Sequence, residues 1–141
     1  MSAEKAGKEA ARWLSQAGSD VAAAKDSAKA SRFEWACFQA QQAAEKAMKA
    51  CWFQLDLDPW GHSVARLIDD LPDETVRNRF AAGREPARQL DKLYIPTRYP
   101  NGLPEMTPAE AYTAREAADA IASAEVILEL ARLSVGQQSG R

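Results

Sequence analysis

A chain of 141 residues, 46% hydrophobic and 27% charged, carries enough apolar matter for one buried core and too little length for two domains. A formal net charge of -2 excludes the highly charged disordered class and argues against a general nucleic-acid binder, which carries a basic excess. The opening Met1–Lys5 lacks the apolar core of a secretory signal, and no stretch approaches the roughly 20 apolar residues of a membrane span, so the expected location is the cytoplasm.

The first periodic segment runs from about Ala6 to Ala30. Trp13, Leu14, Ala17, Val21, Ala24 and Ala28 recur at helical spacing, and the charged residues fall mostly off that stripe. Gly18 weakens the middle by about 1 kcal/mol relative to alanine, so this helix needs a buried face. Ser31-Arg32-Phe33-Glu34 has the form of a capping box and predicts a second helix from about Arg32. Its stripe is Phe33, Cys37, Ala40, Ala44, Ala47, Met48, Cys51 and Leu55, rich in small residues that let neighbouring helices approach closely. Free of glycine and proline, this segment is the expected central helix. Cys37 and Cys51 lie fourteen residues apart on it. That spacing separates their Cα atoms by about 21 Å, three times the reach of a disulfide, so both are expected as free, buried thiols.

Asp58-Pro59-Trp60-Gly61 breaks the pattern. A short helix is expected from Ser63 to Leu71, a brief one within Glu74–Phe80, and another from Pro86 to Tyr94. The stretch Ile95–Pro104 holds three prolines and a glycine, which forbid a helix, yet it is too apolar for a solvated linker. It is expected as an ordered loop packed across the bundle. Thr107-Pro108-Ala109-Glu110 then opens the last helix with an N-cap, a proline at the first position and a closing glutamate. Ala117, Ala120, Ile121, Ala124, Ile127, Leu128 and Ala131 form its inner stripe, out to about Ser134. The fold class is therefore all-α: an up-and-down bundle of about five helices with an ordered proline-rich loop before the last. One helical domain spans residues 1–135, and 136–141 form a disordered tail.

Candidate functional residues are few. Two cysteines and one histidine at these spacings make no metal template. Arg98, between Thr97 and Tyr99, offers a fork suited to phosphate, with a hydroxyl and an aromatic face beside it. Otherwise it anchors its loop to a helix carboxylate such as Asp91 or Glu45. Lys46 and Lys49 flank the alanine stripe and either meet phosphate or lie on a solvated face. His62 precedes Ser63 at a helix start, where free amides suit an anion; the alternative is plain capping and packing. Trp35 and Phe38 fall off the main stripe and mark either an interface or a second buried face; Gln42 either hydrogen-bonds across an interface or is simply surface. Arg77, Arg79, Arg84 and Arg88 are locally basic but diluted by neighbouring carboxylates.

The run Glu34–Ala50, the earlier Trp13-Leu14-Ser15-Gln16-Ala17, the His62-Ser63-Val64 helix start and Tyr94-Ile95-Pro96-Thr97-Arg98-Tyr99-Pro100, in this order, resemble the HEPN domain family of prokaryotes and of the eukaryotic protein sacsin. The resemblance covers about Trp13 to Leu133. It implies a bundle of about five helices, usually homodimeric, associated with nucleotide binding, and in many members partnered by a minimal nucleotidyltransferase in a two-component, toxin–antitoxin-like system. Many members are metal-independent RNases whose site is an arginine followed after four to six residues by histidine. Here the single histidine, His62, has its nearest upstream arginine at Arg32, thirty residues away, so the motif is missing. The resemblance then implies no catalytic residue and no cofactor. The expected ligand is a nucleotide held by Thr97, Arg98, Tyr99, Lys46, Lys49 and His62, with RNA as the less favoured ligand. The alternatives are an RNase with an atypical site around His62 and a purely structural interaction dimer.

Overall fold

The computed structural model describes residues 2–139; Met1, Gly140 and Arg141 lie outside the described residues. Among these residues every regular element is helical. The elements are α1 (Ala3–Lys29), α2 (Phe33–Gln54), α3 (Val64–Asp69), α4 (Glu74–Asn78), α5 (Arg84–Asp91), α6 (Pro108–Ala111) and α7 (Ala114–Ser139). The fold is thus an all-α bundle, as the periodicity predicts. Its mass lies in α1, α2 and α7, and α3 to α6 fill the long crossing between the second and third of these.

Helix α2 packs against α1 along its length and against α7, with α3, α5 and α6 completing its surroundings. That position explains its burial. Ala36, Cys37, Ala40, Ala43, Ala44, Ala47, Met48 and Ala50 are all fully buried, far more than one stripe. Small side chains on α2 meet Ala10, Ala17 and Ala24 of α1 and Ala117, Ala124 and Ala131 of α7 in the same core. Alanine-lined seams let the backbones approach, so the interior is filled by close helix contact rather than by large side chains. The larger residues, Phe80, Leu67, Ile68, Leu71, Leu90 and Ile127, cluster where the short helices meet α7. Gly83 marks the tightest approach there. A Cβ at that position would stand 2.8 Å from Ile127 Cδ1 and 3.2 Å from Leu130 Cδ1.

Several boundaries differ from expectation: α5 runs Arg84–Asp91 rather than from Pro86 to Tyr94, and α3 is shorter than Ser63 to Leu71. Ser31 does not cap α2: it sits in the left-handed region at φ 60°, and the N-cap, Arg32, makes no side-chain capping bond. The α1–α2 turn demands that conformation and removes Ser31 from reach of the α2 amides. The Thr107 capping box forms but opens only the single turn α6. A second box follows, with Thr113 Oγ1 accepting from the Glu116 amide at 3.1 Å and Glu116 Oε1 accepting from the Thr113 amide at 3.1 Å, and it opens α7. Finally, α7 continues to Ser139, so Gly136–Ser139 of the expected tail are helical.

Candidate functional site

The Pro-rich segment between α5 and α6 is tied down at one buried residue, Thr97, and is otherwise largely exposed, so it is not packed across the bundle as expected. Thr97 is 1% exposed and its hydroxyl donates to the Leu93 carbonyl at 2.7 Å. It therefore holds the loop and does not offer its hydroxyl to a ligand. Arg98 follows and turns back over the aromatic residues. Its guanidinium carbon lies 4.4 Å from the Phe38 ring centroid, 4.7 Å from Tyr94 and 5.3 Å from Tyr99. Its Nε donates to the Tyr94 carbonyl at 2.9 Å. Neither expected carboxylate anchors it, because both are engaged elsewhere. No ion pair to Arg98 is present among the described residues, so its charge is met by ring faces and not by an anion.

Tyr94 carries a second group. The His62 imidazole stacks on it with centroids 4.6 Å apart and planes 16° apart. His62 Nδ1 is 3.3 Å from both oxygens of Glu45. Glu45 is only 5% exposed, and it also accepts from Lys49 Nζ at 3.0 Å and from Gln41 Nε2 at 3.4 Å. Gln41, fully buried, donates to the His62 carbonyl at 3.0 Å, while Gln42 Nε2 donates to Gln41 Oε1 at 2.8 Å. The outcome is a continuous polar network from Gln42 to Lys49 on one flank of α2, with a half-exposed imidazole and an uncompensated guanidinium sharing the Tyr94 ring.

The amides at the start of α3 are not free for a ligand, contrary to expectation. Asp91 fills that position: it accepts from Ser63 Oγ at 2.6 Å, Val64 N at 2.6 Å and Ala65 N at 3.2 Å. Ser63 Oγ in turn accepts from Arg66 N at 3.1 Å, as an N-cap should. The two lysines also part company. Lys49 belongs to the Glu45 network, whereas Lys46 forms an ion pair with Asp20 of α1 at 2.7 Å. Of the residues expected to bind a ligand, Arg98 contacts Tyr99, Arg98 and His62 each contact the Tyr94 ring, Lys49 lies behind Glu45, and Lys46 and Thr97 are engaged elsewhere.

Trp35 is 48% exposed and meets Phe38 edge-on at 6.1 Å. With Phe38 beneath Arg98 and Tyr99 half exposed beside it, these residues form an aromatic strip continuous with the platform. Gln42 is half-buried in the polar network. The basic run is dispersed: Arg77 bonds the Leu71 carbonyl, and Arg84 lies 3.8 Å from Asp69. Cys37 and Cys51 are free and buried, and burial pushes both thiols up to about 12, helped at Cys37 by Glu116 and Glu34. Among the described residues no group of histidines, cysteines and carboxylates could hold a metal ion, and no helix is long and apolar enough to cross a membrane.

The HEPN domain family model matches residues 10–134. The chain belongs to the HEPN domain family. Three solved structures agree. TT1696 from Thermus thermophilus is 39% identical, with a TM-score of 0.85 over 89% of this chain and 98% of that one. The archaeal HEPN homologue ST0689 is 33% identical, with a TM-score of 0.75 over 90% and 98%. The HEPN domain protein TM0613 from Thermotoga maritima is 29% identical, with a TM-score of 0.65 over 86% and 94%. No curated protein matches the chain. The HEPN bundle thus supplies the scaffold that carries the Tyr94 platform.

Sequence spacing named Glu45 only as an anchor for Arg98 and gave Gln41 and Tyr94 no part in the site. Periodicity places Glu45 and Gln41 beside the alanine stripe, where polar residues read as surface. Only the return of the 58–62 loop over α2 buries them.

Proposed function

We propose that this HEPN domain is a non-catalytic, dimeric binding module that holds a nucleotide on the Arg98 platform. The observation that carries this reading is the Arg98 guanidinium, faced by three aromatic rings and, among the described residues, by no carboxylate. A phosphate would supply the missing counter-charge in bidentate form, and the half-exposed Tyr99 ring gives a base a face to stack on. The Trp35–Phe38 strip, rich in the residue types that dominate interface cores, presents the docking face for a second copy. A minimal nucleotidyltransferase as further partner, in a toxin–antitoxin-like pair working in the cytoplasm, rests on the family resemblance.

Titration calorimetry with ADP tests the nucleotide reading. Arg98→Ala should weaken binding by about tenfold or more, the equivalent of one charge-assisted hydrogen bond, while leaving the circular dichroism of the bundle unchanged. Absence of heat with wild-type protein defeats it. Light scattering of wild type and Trp35→Ser tests the dimer.

One observation favours a second reading. His62, backed by a carboxylate, shares the Tyr94 ring with Arg98, which assembles across the fold an acid–base group and an anion holder that the linear arginine–histidine spacing lacks. That arrangement fits an RNase with an atypical site. Cleavage of RNA in EDTA that disappears in His62→Ala supports it; no cleavage by wild type, or equal cleavage by both, removes it.

A further inference from the structure

His62 is the single histidine of the chain, and its two ring nitrogens have different surroundings. Nδ1 faces both oxygens of Glu45 at 3.3 Å. Nε2 has no protein partner among the described residues, and the side chain is 56% exposed. Glu45 is itself immobilised: Lys49 holds Oε2, Gln41 approaches Oε1, and the carboxylate is 6% exposed. Gln41 additionally grips the His62 carbonyl, and Tyr94 stacks on the ring. Main chain, ring plane and one ring nitrogen are all fixed by neighbours.

A lone pair on Nδ1 would point at two carboxylate oxygens and be repelled; a proton there donates to them. The tautomer of a neutral imidazole is set by the bond its other nitrogen makes. We infer that Glu45 is a positioning residue that holds His62 as the Nδ1–H tautomer and so presents Nε2 as an acceptor at the Tyr94 ring, which Arg98 also contacts. This deepens the ligand-site reading and rests on it for its consequence: the platform selects anions that carry a hydrogen-bond donor. Arg98 supplies charge without discrimination, while His62 requires an O–H or N–H. Hydrogen phosphate qualifies; sulfate, of the same shape and charge, does not. The groups bearing on the imidazole are Glu45 and Lys49 of α2 and Tyr94 after α5, whose ring Arg98 of the loop also contacts.

The test uses the full chain labelled with nitrogen-15. Long-range proton–nitrogen correlation spectra are recorded where the ring nitrogens report the neutral form, and the lone histidine makes assignment unambiguous. The expected spectrum has Nδ1 protonated and Nε2 bare. In Glu45→Met, which keeps the side-chain length and removes both oxygens, the ring should revert to the Nε2–H form that imidazoles favour in water. Protonation at Nε2 in the wild type overturns the inference, and needs no variant to fold. With inorganic phosphate and sulfate as probes near pH 8, wild type should prefer phosphate by about tenfold, the worth of one charge-assisted hydrogen bond, and Glu45→Met should lose that preference. Equal binding of the two anions overturns the acceptor role. If neither binds, the anion site itself fails, and the tautomer spectrum alone decides the role of Glu45.

Discussion

Asp91 joins the end of α5 to the start of α3, and removing it should loosen the loop that carries His62. Its carboxylate accepts three bonds, from Ser63 Oγ, Val64 N and Ala65 N. Asp91→Ala leaves two backbone amides without partners at the head of a six-residue helix that is too short to stand by propensity. Each partly buried unsatisfied amide costs about 1–2 kcal/mol, and the lost charge–dipole term adds up to about 1, giving a total of roughly 3 kcal/mol. Asp91→Asn keeps one acceptor oxygen and should cost about half as much. Urea unfolding followed by tryptophan fluorescence reads the difference, because Trp52 Nε1 bonds the Leu67 carbonyl of α3 at 2.9 Å and reports on that helix. The midpoint should fall with little change of slope. A loss below about 1 kcal/mol for Asp91→Ala would refute the claim that this carboxylate organises the His62 turn.

Gly83→Ala places a methyl against Ile127 and Leu130 and should destabilise by about 1–3 kcal/mol in the same assay. Thr113→Ala should cost about 1 kcal/mol, as should Thr107→Ala; helical circular dichroism should report mainly the former, because Thr113 opens the long α7 and Thr107 only one turn. Lys46→Ala should leave ligand affinity within error in calorimetry, because its ammonium is held by Asp20 on the α1 side. The two buried thiols should resist a thiol reagent in the folded protein and react in denaturant. With both thiols raised in the folded state from 9.0 to about 12, stability is fully present below pH 9 and is lost as pH rises towards 12, by a few kcal/mol in order of magnitude, checked by urea midpoints at alkaline pH.

The stripes of α1, α2 and α7 were legible because burial on a helix repeats every three or four residues, and Ala40, Ala44, Ala47 and Met48 follow that rule. The Pro-rich segment was legible as a break in the α-helical pattern, but its packing was not: Ile95 and Tyr99 stand exposed, only Thr97 is buried, and Pro100–Gly102 makes a 3-10 turn. The start of α2 was misjudged because a capping box is a local pattern. The chain reverses sharply at Ser31, and the turn decided its backbone angles. Similarly, Thr113-Ala114-Arg115-Glu116 repeats the signal of Thr107–Glu110 six residues on, and only packing decides which box starts the long helix. In the site, Arg98 and Tyr99 stood out by composition. Asp91 and Glu45 were identified as carboxylates but matched to the wrong partner, because their true partners lie 28 and 17 residues away along the chain. Contacts at that separation depend on how short helices stack on α2, which no spacing rule encodes.

Mapping the ligand's position by nuclear magnetic resonance tests the central claim most directly. On titration with ADP, the Arg98 Nε–H, the His62 ring and the amides of Tyr94 and Tyr99 should shift together at one saturating concentration. Shifts confined to the open groove of α1 lined by Arg12, Trp13, Gln16 and Lys46, about 670 Å³ in volume, or no shifts at all, would contradict it.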